Sequence, residues 1–193
     1  MLENLQKYNI LLASKSPRRR ELMNQLRVPY KVVTLRNIDE SYPDDMAAGD
    51  VAQYLSGKKA DAYREIIGDD ELLITADTTV VLGDKVYGKP ENRDDALRML
   101  HELSGKVHQV VSGVTIATKY KRTSFTAITD VKFADIDADD ILYYVDNYLP
   151  LDKAGAYGIQ EWIGCVAVEW IKGSYYNVMG LPVHRLYREL KLF

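Results

Sequence analysis

The sequence predicts an α/β or α+β fold in which helices flank a mixed β-sheet. Short apolar runs typical of buried strands alternate along the chain with segments whose apolar residues recur at helical spacing. No internal repeat and no low-complexity linker interrupts this alternation. With 193 residues, of which 47% are hydrophobic, the chain is long enough for one compact domain.

The first predicted elements are a strand, a turn and a helix. An apolar run over residues 8–13 predicts a buried strand. Ser16 is a favourable N-cap, and Pro17 suits the first helical position because its missing N–H would have no partner there. We therefore predict a helix from Pro17 to Leu26.

The same kinds of signal give the remaining elements. Gly83-Asp84 suits a two-residue hairpin turn, Asn92 caps a helix, and Gly105 supplies the left-handed stop of that helix. The further predicted strands cover residues 30–35, 72–76, 79–82, 85–87, 107–118, 123–135 and 165–171. The further predicted helices cover residues 50–66, 93–103, 137–147 and 182–190, and a polar, acidic loop is expected over 36–45.

Composition and charge argue against several classes of protein. The net charge is -3 and the pI is near 5.7, so no global basic field attracts nucleic acid. The single cysteine, Cys165, cannot form an internal disulfide, and no cysteine or histidine spacing is typical of a zinc site. No apolar run approaches the ~18 residues of a membrane span, and the N-terminus lacks the layout of a secretion signal. We expect a cytoplasmic protein with no membrane or nucleic-acid partner.

Three arginines, Arg18 to Arg20, stand in the first turn of the helix predicted after Ser16. Cations are unfavourable at the positive end of a helix dipole. A bound polyanion is one explanation, because helix N-termini and arginine side chains both bind phosphate. A solvated basic first turn is the alternative, and these residues alone leave both open.

Carboxylates and a lysine stand at the ends of predicted strands or in connecting loops. Asp77 directly follows the predicted strand over 72–76, and ligands of open α/β sheets bind beyond the carboxyl ends of the strands. The Asp39-Glu40 pair lies in the acidic loop, where paired carboxylates are often only solvated charge. The Gly88-Lys89-Pro90 triplet is, by itself, consistent with an ordinary turn lysine.

Together these residue types are typical of a phosphate and metal site. Serine, arginine and lysine bind phosphate, whereas aspartate and glutamate are hard oxygen ligands for Mg²⁺ or Mn²⁺. A divalent cation bridging carboxylates and a triphosphate polarises the phosphorus and lowers the pKa of a bound water, whose proton a neighbouring carboxylate can take. The GxxxxGK[ST] phosphate loop is absent, which disfavours a P-loop kinase or GTPase.

The segment Ala13-Ser14-Lys15-Ser16-Pro17-Arg18-Arg19 resembles the S-x-S-P-R-R signature of the Maf family of nucleotide pyrophosphatases. Further blocks resemble the family in register from Ile10 to Leu190: residues 38–41, 55–60, 76–78, 88–90, 103–105 and 173–182. Residues 152–160, DKAGAYGIQ, resemble the branch that acts on dTTP and UTP. The sister branch, which acts on 7-methyl-GTP, usually differs at the positions matching Arg18, Thr78 and Gln160.

The resemblance implies a single domain over residues 1–193, with two lobes around a deep cleft, similar to the inosine triphosphate pyrophosphatases (Maf/Ham1-like). It also implies a divalent metal cation, Mg²⁺ or Mn²⁺, as cofactor. Asp77 would be the general base and a metal ligand, and Glu40 would help to hold the metal. The phosphate-binding residues would be Ser14, Arg19, Lys59 and Lys89, and the residues that set base preference would be Arg18, Thr78 and Gln160. Lys15 departs from the small residue, often glycine, that many relatives have there.

The leading hypothesis is hydrolysis of dTTP and UTP, or of modified pyrimidine nucleotides, to the monophosphate and pyrophosphate. The family resemblance links such an enzyme to nucleotide pool cleansing and to cell-division arrest, and it implies a homodimer. The alternatives are a 7-methyl-GTP pyrophosphatase and a nucleotide-binding regulator of septum formation with incidental catalysis. An α/β domain whose polar loops share no site is a further reading; it predicts no thermal stabilisation by nucleotide and magnesium.

Overall fold

Alternating strand and helix signals lead to the mixed α/β fold that the sequence predicts. A computed structural model describes residues 2–35 and 38–193. The strands assigned there are β1 (Asn9–Ala13), β2 (Lys31–Val33), β3 (Glu71–Leu82), β4 (Lys85–Tyr87), β5 (Val107–Ala117), β6 (Arg122–Phe133) and β7 (Val168–Lys172). The α-helices are α1 (Pro17–Gln25), α2 (Val51–Tyr63), α3 (Arg93–Leu103), α4 (Ala138–Tyr148), α5 (Trp162–Val166), α6 (Tyr175–Met179) and α7 (Val183–Leu192).

The strands form one mixed sheet in the order β2-β1-β3-β5-β6-β7, with β4 paired to β3. Strand β1 runs parallel to both β2 and β3, and Ala13 lies opposite Thr75 in this register. Strands β3 and β4 are antiparallel, as are β6 and β7. Because β1 and β3 end their pairing at Ala13 and Thr75, the residues that follow lie at the carboxyl end of that pair.

The chain divides into two compact units. Unit 1 comprises the chain up to Asp77 together with Ser112–Ala127 and Gly180–Phe193, and unit 2 comprises Thr78–Val111 and Ile128–Met179. Strands β3, β5 and β6 each contribute residues to both units. The predicted single domain and its cleft stay predictions.

A buried cluster in unit 1 supports the helix α2. It consists of Leu11, Ala60, Tyr63, Ile67 and Leu73, and Ile38 packs against it from the acidic loop. The Tyr63 hydroxyl also accepts a hydrogen bond of 2.7 Å from the backbone N–H of Leu35. The chain on both sides of the undescribed residues 36 and 37 is therefore attached to the same core.

The predicted helix signals are confirmed at their caps. Ser16 accepts from the N–H of Arg19, and Asn92 accepts from the N–H of Asp95. Gly105 follows α3 with a positive φ of +69°, and Gly83 has a φ of +60° in the turn between β3 and β4.

The structure corrects several sequence predictions. Asp77 does not follow a strand but lies inside β3, because no breaking residue separates the predicted strands 72–76 and 79–82 and the β-branched Thr78 and Thr79 continue the extended chain. The pairing of β3 with β1 nevertheless ends at Thr75, two residues before Asp77. Cys165 lies in α5 instead of a strand, and it is exposed.

The acidic loop prediction is confirmed in part. Residues 38–45 form neither helix nor strand, whereas residues 36 and 37 of the predicted loop lie outside the described part of the chain. Strand β2 is shorter than predicted, and α6 was not predicted from the sequence. Among the described residues, no helix has the length and apolar character needed to cross a lipid bilayer.

Candidate active site

The start of α1 in unit 1 is tied to the end of the β1–β3 pair by Arg19. Its Nε donates to the carbonyl of Gly180 over 2.8 Å, and its Nη1 donates to the carbonyl of Ala76 over 2.7 Å. Ser14 is buried, and its Oγ accepts from the N–H of Ser16 over 3.1 Å. The motif residues therefore form a tight turn whose arginine lies next to the residue before Asp77.

Lys59 of α2 lies between two carboxylates. Its Nζ is 2.9 Å from Glu40 Oε1 in the acidic loop and 3.3 Å from Asp77 Oδ2 in β3. The Glu40 side chain is 55% exposed, whereas those of Lys59 and Asp77 are 15% and 17% exposed. Three residues predicted for catalysis, metal binding and phosphate binding are therefore in direct contact.

Arg19 shares the electrostatic environment of this cluster. Burial lowers the pKa of Arg19 below its ordinary value, and the neighbouring Arg18 acts in the same direction. The carboxylates of Asp77 and Glu40 oppose that change. Three other predicted site residues of unit 1, Arg18, Glu40 and Asp77, therefore act electrostatically on the Arg19 guanidinium.

A second pair of charges holds the acidic loop to α2. Lys58 Nζ is 2.6 Å from Asp39 Oδ2 and donates to the Ser41 carbonyl over 2.9 Å. The hydrogen bond from Lys58, followed by those from Ser41, lowers the pKa of Asp39 to about 2. Asp39 was expected to be solvated charge, and Lys58 was not predicted as its partner. The adjacent Lys58-Lys59 and Asp39-Glu40 pairs were the sequence signal for two parallel ion pairs.

In unit 2, a backbone tether joins two of the segments that carry predicted site residues. The N–H of Gly155 donates to the carbonyl of Gly88, next to Lys89, over 3.0 Å. A Cβ at Gly155, where φ is +67°, would lie 2.8 Å from the side chain of Val80 in β3. The segments carrying Thr78, Lys89 and Gln160 are thus packed together, and Lys89 and Gln160 themselves are exposed.

The carboxylates near Lys59 suit a hard divalent cation in number and placement. The Lys59 ammonium contacts both Glu40 and Asp77, so the two carboxylates converge within reach of one cation. Magnesium is commonly held by one or two protein carboxylates together with substrate phosphates and waters. Among residues 2–35 and 38–193, no group of three or more histidine, cysteine or acidic side chains is placed to hold a metal ion.

Several contacts that sequence reasoning missed lie beside the predicted residues. Residues 152–161, here called the clamp segment, are bridged by Lys153, whose Nζ lies 2.7 Å from Asp152 Oδ1 and 3.1 Å from Glu161 Oε1. Lys153 and Glu161 are eight positions apart and share no helix or strand, so no periodic pattern indicated the pair. In the 173–182 block, Asn177 is fully buried and donates to the Val110 carbonyl over 3.0 Å, which makes this residue structural.

Comparisons with known proteins find chains similar to this one over nearly its whole length. A Bacteroides thetaiotaomicron protein named dTTP/UTP pyrophosphatase is 58% identical over 191 residues, covering 99% of both chains. A Parabacteroides distasonis protein of the same name is 55% identical over 193 residues, covering 100% of both. A solved structure of a HAM1 protein from Coxiella burnetii shares 12% identity with a TM-score of 0.51, covering 96% of this chain and 100% of the other.

The Coxiella likeness concerns the fold alone, and it confirms the predicted similarity to Ham1 proteins. The family model described as Maf-like protein matches residues 9–193, which includes every segment that contributes a predicted site residue. This chain belongs to the Maf family.

Proposed function

We propose that this chain hydrolyses dTTP and UTP between the α and β phosphates, giving the nucleoside monophosphate and pyrophosphate. The observation that carries the proposal is the Glu40–Lys59–Asp77 cluster beside Arg19, which combines carboxylates for a metal and a base with cations for a triphosphate. Relatives named dTTP/UTP pyrophosphatase at 55–58% identity support the choice of substrate.

Phosphate binding is assigned to Ser14, Arg19, Lys59 and Lys89. Arg19 is well prepared for this role because two backbone carbonyls hold its guanidinium in place, so little side-chain entropy is lost on binding. In the assigned role, Lys59 would exchange part of its contact with Glu40 and Asp77 for phosphate oxygens. The Lys59 ammonium would then neutralise the negative charge that develops on the leaving pyrophosphate and favour its departure.

Asp77 is assigned as the general base. Its carboxylate takes a proton from the attacking water while the water oxygen bonds to the α phosphorus. The bond between that phosphorus and the bridging oxygen breaks, and the electron pair leaves with pyrophosphate. Lys59, whose Nζ lies 3.3 Å from Asp77 Oδ2, and Arg19 both place positive charge beside this carboxylate.

Glu40 and Asp77 are the residues assigned to a divalent cation. When bound there, Mg²⁺ or Mn²⁺ would neutralise phosphate charge and polarise the phosphorus. Two carboxylates are enough for this role, because the substrate phosphates and waters supply further oxygen ligands.

Base preference is assigned to Arg18, Thr78 and Gln160. A glutamine amide carries both a donor and an acceptor, which matches the alternating donor and acceptor edge of uracil and thymine. Gln160 is exposed at the end of the clamp segment, which suits contact with a ligand. The proposed reaction acts on the cytoplasmic nucleotide pool, and the homodimer implied by the family resemblance stays a prediction.

Product analysis tests the proposed function. Wild type supplied with dTTP, UTP, CTP or 7-methyl-GTP and Mg²⁺ should release pyrophosphate and monophosphate fastest from dTTP and UTP. Asp77→Asn should lower turnover about 100-fold or more, since general-base catalysis contributes on the order of 10²–10⁴. Asp84→Asn, in the exposed turn after β3, is the matched control and should keep wild-type turnover.

Three results would contradict the proposal in different ways. Release of orthophosphate with a nucleoside diphosphate would place the cleaved bond elsewhere in the triphosphate. Preference for 7-methyl-GTP would assign the chain to the sister branch. Nucleotide binding without turnover, together with a cellular effect that survives Asp77→Asn, would favour a regulator of septum formation.

A further inference from the structure

A buried lysine closes the clamp segment on itself. Lys153 is only 7% exposed, and its ammonium contacts carboxylates at both ends of the segment, Asp152 and Glu161. Lysine is rarely this buried unless its charge is paired, because removing an ammonium from water is costly. The pairing therefore fixes the distance between the two ends of the segment.

Tyr144 of α4 attaches the same segment to the core of unit 2. Its side chain is fully buried, and its hydroxyl donates to the Glu161 carboxylate and accepts from the N–H of Gly158 over 3.1 Å. Gly158 and Glu161 are the residues on either side of the Ile159-Gln160 pair. One hydroxyl thus holds the chain immediately before and immediately after these two residues.

The packing around Gly158 leaves little room for the segment to shift. A Cβ at this position would lie 2.9 Å from Glu161 Cδ and 3.1 Å from Lys153 Cε. The charged pair therefore lies directly against the backbone of Gly158. In the same turn, the Gln160 side chain is exposed, so a fixed backbone presents a side chain that can reach a ligand.

We propose that Tyr144, Glu161 and Lys153 are positioning residues for Gln160, and that they thereby set the discrimination between pyrimidine and purine nucleotides. The inference rests on the proposed function, in which Gln160 contacts the base. An amide recognises a base edge only when its donor and its acceptor both reach their partners. A shift of the backbone by about 1 Å would misalign both contacts.

A double-mutant cycle tests whether Tyr144 acts through Gln160. Tyr144→Phe removes the hydroxyl and keeps the buried ring. The measured quantity is the ratio of kcat/KM for dTTP to that for GTP, and it should fall roughly tenfold in Tyr144→Phe and at least as far in Gln160→Ala. In the Gln160→Ala background, Tyr144→Phe should change the ratio by less than about twofold, because its effect passes through the missing side chain.

A matched control separates positioning from general damage to the fold. Tyr148→Phe alters another tyrosine of α4, one that stacks on Tyr144 at 5.0 Å between ring centroids, and should keep the wild-type ratio. Thermal unfolding of each variant reports whether the fold is retained. If Tyr144→Phe does not fold, Glu161→Gln, which keeps the size of the side chain, takes its place in the cycle.

The outcomes distinguish this inference from the proposed function. A wild-type ratio in Tyr144→Phe or in Gln160→Ala overturns the positioning role, and so does an equal loss in both backgrounds of the cycle. Calorimetric Kd values for dTTP and GTP provide a second readout that needs no turnover. Wild type that binds dTTP without hydrolysing it overturns the proposed activity only, and the same cycle in Kd still tests the positioning role; wild type that binds neither nucleotide overturns both.

Discussion

Two lysines in this chain each lie between two carboxylates, and their surroundings differ. Lys59 in unit 1 joins Glu40 of the acidic loop to Asp77 of β3, which are far apart in the sequence. Lys153 in unit 2 joins Asp152 and Glu161 within a single short segment. The first lysine links separate elements, whereas the second closes one segment on itself.

The partners of the two lysines explain what each arrangement is suited to do. Arg19 interacts electrostatically with both Asp77 and Glu40, so the carboxylates near Lys59 have a second cation. Glu161 is instead fixed by the buried Tyr144 hydroxyl and by its contact with Lys153. Because Arg19 also interacts with the two carboxylates, Lys59 can exchange its contacts with them for contacts with a ligand. The contacts of Lys153 all lie within one segment, which suits a role in fixing the backbone of that segment.

The largest expected effect is a difference in the stability lost when each of these two lysines is replaced. Lys153→Met should lower the free energy of unfolding by about 3–5 kcal/mol, because it leaves the largely buried Glu161 carboxylate without its cation. Lys59→Met should cost clearly less, because Glu40 is more than half exposed and Arg19 remains close to Asp77 as a second cation. Urea denaturation measures both values, and equal losses would remove the distinction between the two lysines.

The second expected effect is a loss of stability at acidic pH that depends on His108, a buried residue of unit 2. Burial lowers the pKa of His108 from 6.5 to about 4, and its Nε2 lies 2.8 Å from the Tyr157 hydroxyl. His108 therefore binds a proton near pH 6.5 in the unfolded chain but only near pH 4 in the folded chain. Stability should fall as the pH decreases through this window, by about 3 kcal/mol in total, and be unaffected by this group above it.

His108→Gln provides the comparison for that titration. Denaturation midpoints at several pH values between 4 and 7.5 should decline less steeply in the variant than in wild type, because glutamine does not titrate. Parallel declines in the two proteins would show that the acid sensitivity arises from other groups.

A smaller effect is expected where the clamp segment meets β3. Gly155→Ala should lower stability by about 2 kcal/mol or more, because alanine is disfavoured at φ +67° and its Cβ would clash with Val80. Gly83→Ala has a similar φ of +60° with no atom within 4 Å, so it should cost only about 1 kcal/mol. Thermal or urea denaturation of the pair isolates the packing contribution, and equal costs would argue against the close contact.

The smallest effect concerns the acidic loop of unit 1. The hydrogen bond from Lys58 lowers the pKa of Asp39 to about 2, so Asp39 should remain ionised well below the ordinary carboxyl midpoint of 3.8. An NMR titration of the Asp39 carboxyl carbon measures this directly. Lys58→Met should move the midpoint towards 3.8, and an unchanged midpoint would mean that Lys58 does not hold the loop.

Much of the fold could be predicted from local signals. The caps at Ser16 and Asn92, the turn at Gly83-Asp84 and the stop at Gly105 depend on residues close in sequence, and the structure has all of them. The predicted strand boundary at Asp77 was wrong because no strand-breaking residue stands there, and the β-branched Thr78 and Thr79 continue β3. The pairing of β3 with β1, in contrast, ends at Thr75, and that end depends on the neighbouring strand.

The sequence by itself determined the family, the mixed α/β fold and the identity of the residues proposed for the site. Those properties follow from motifs and periodicities that span a few residues each. Only the tertiary structure decided that Lys59 bridges Glu40 and Asp77, that Lys58 holds Asp39, and which groups fix the clamp segment. Ion pairs between distant segments depend on how the strands and helices pack. The Lys153 ammonium needs carboxylate partners because it is buried, and a side chain is buried only once the chain has folded.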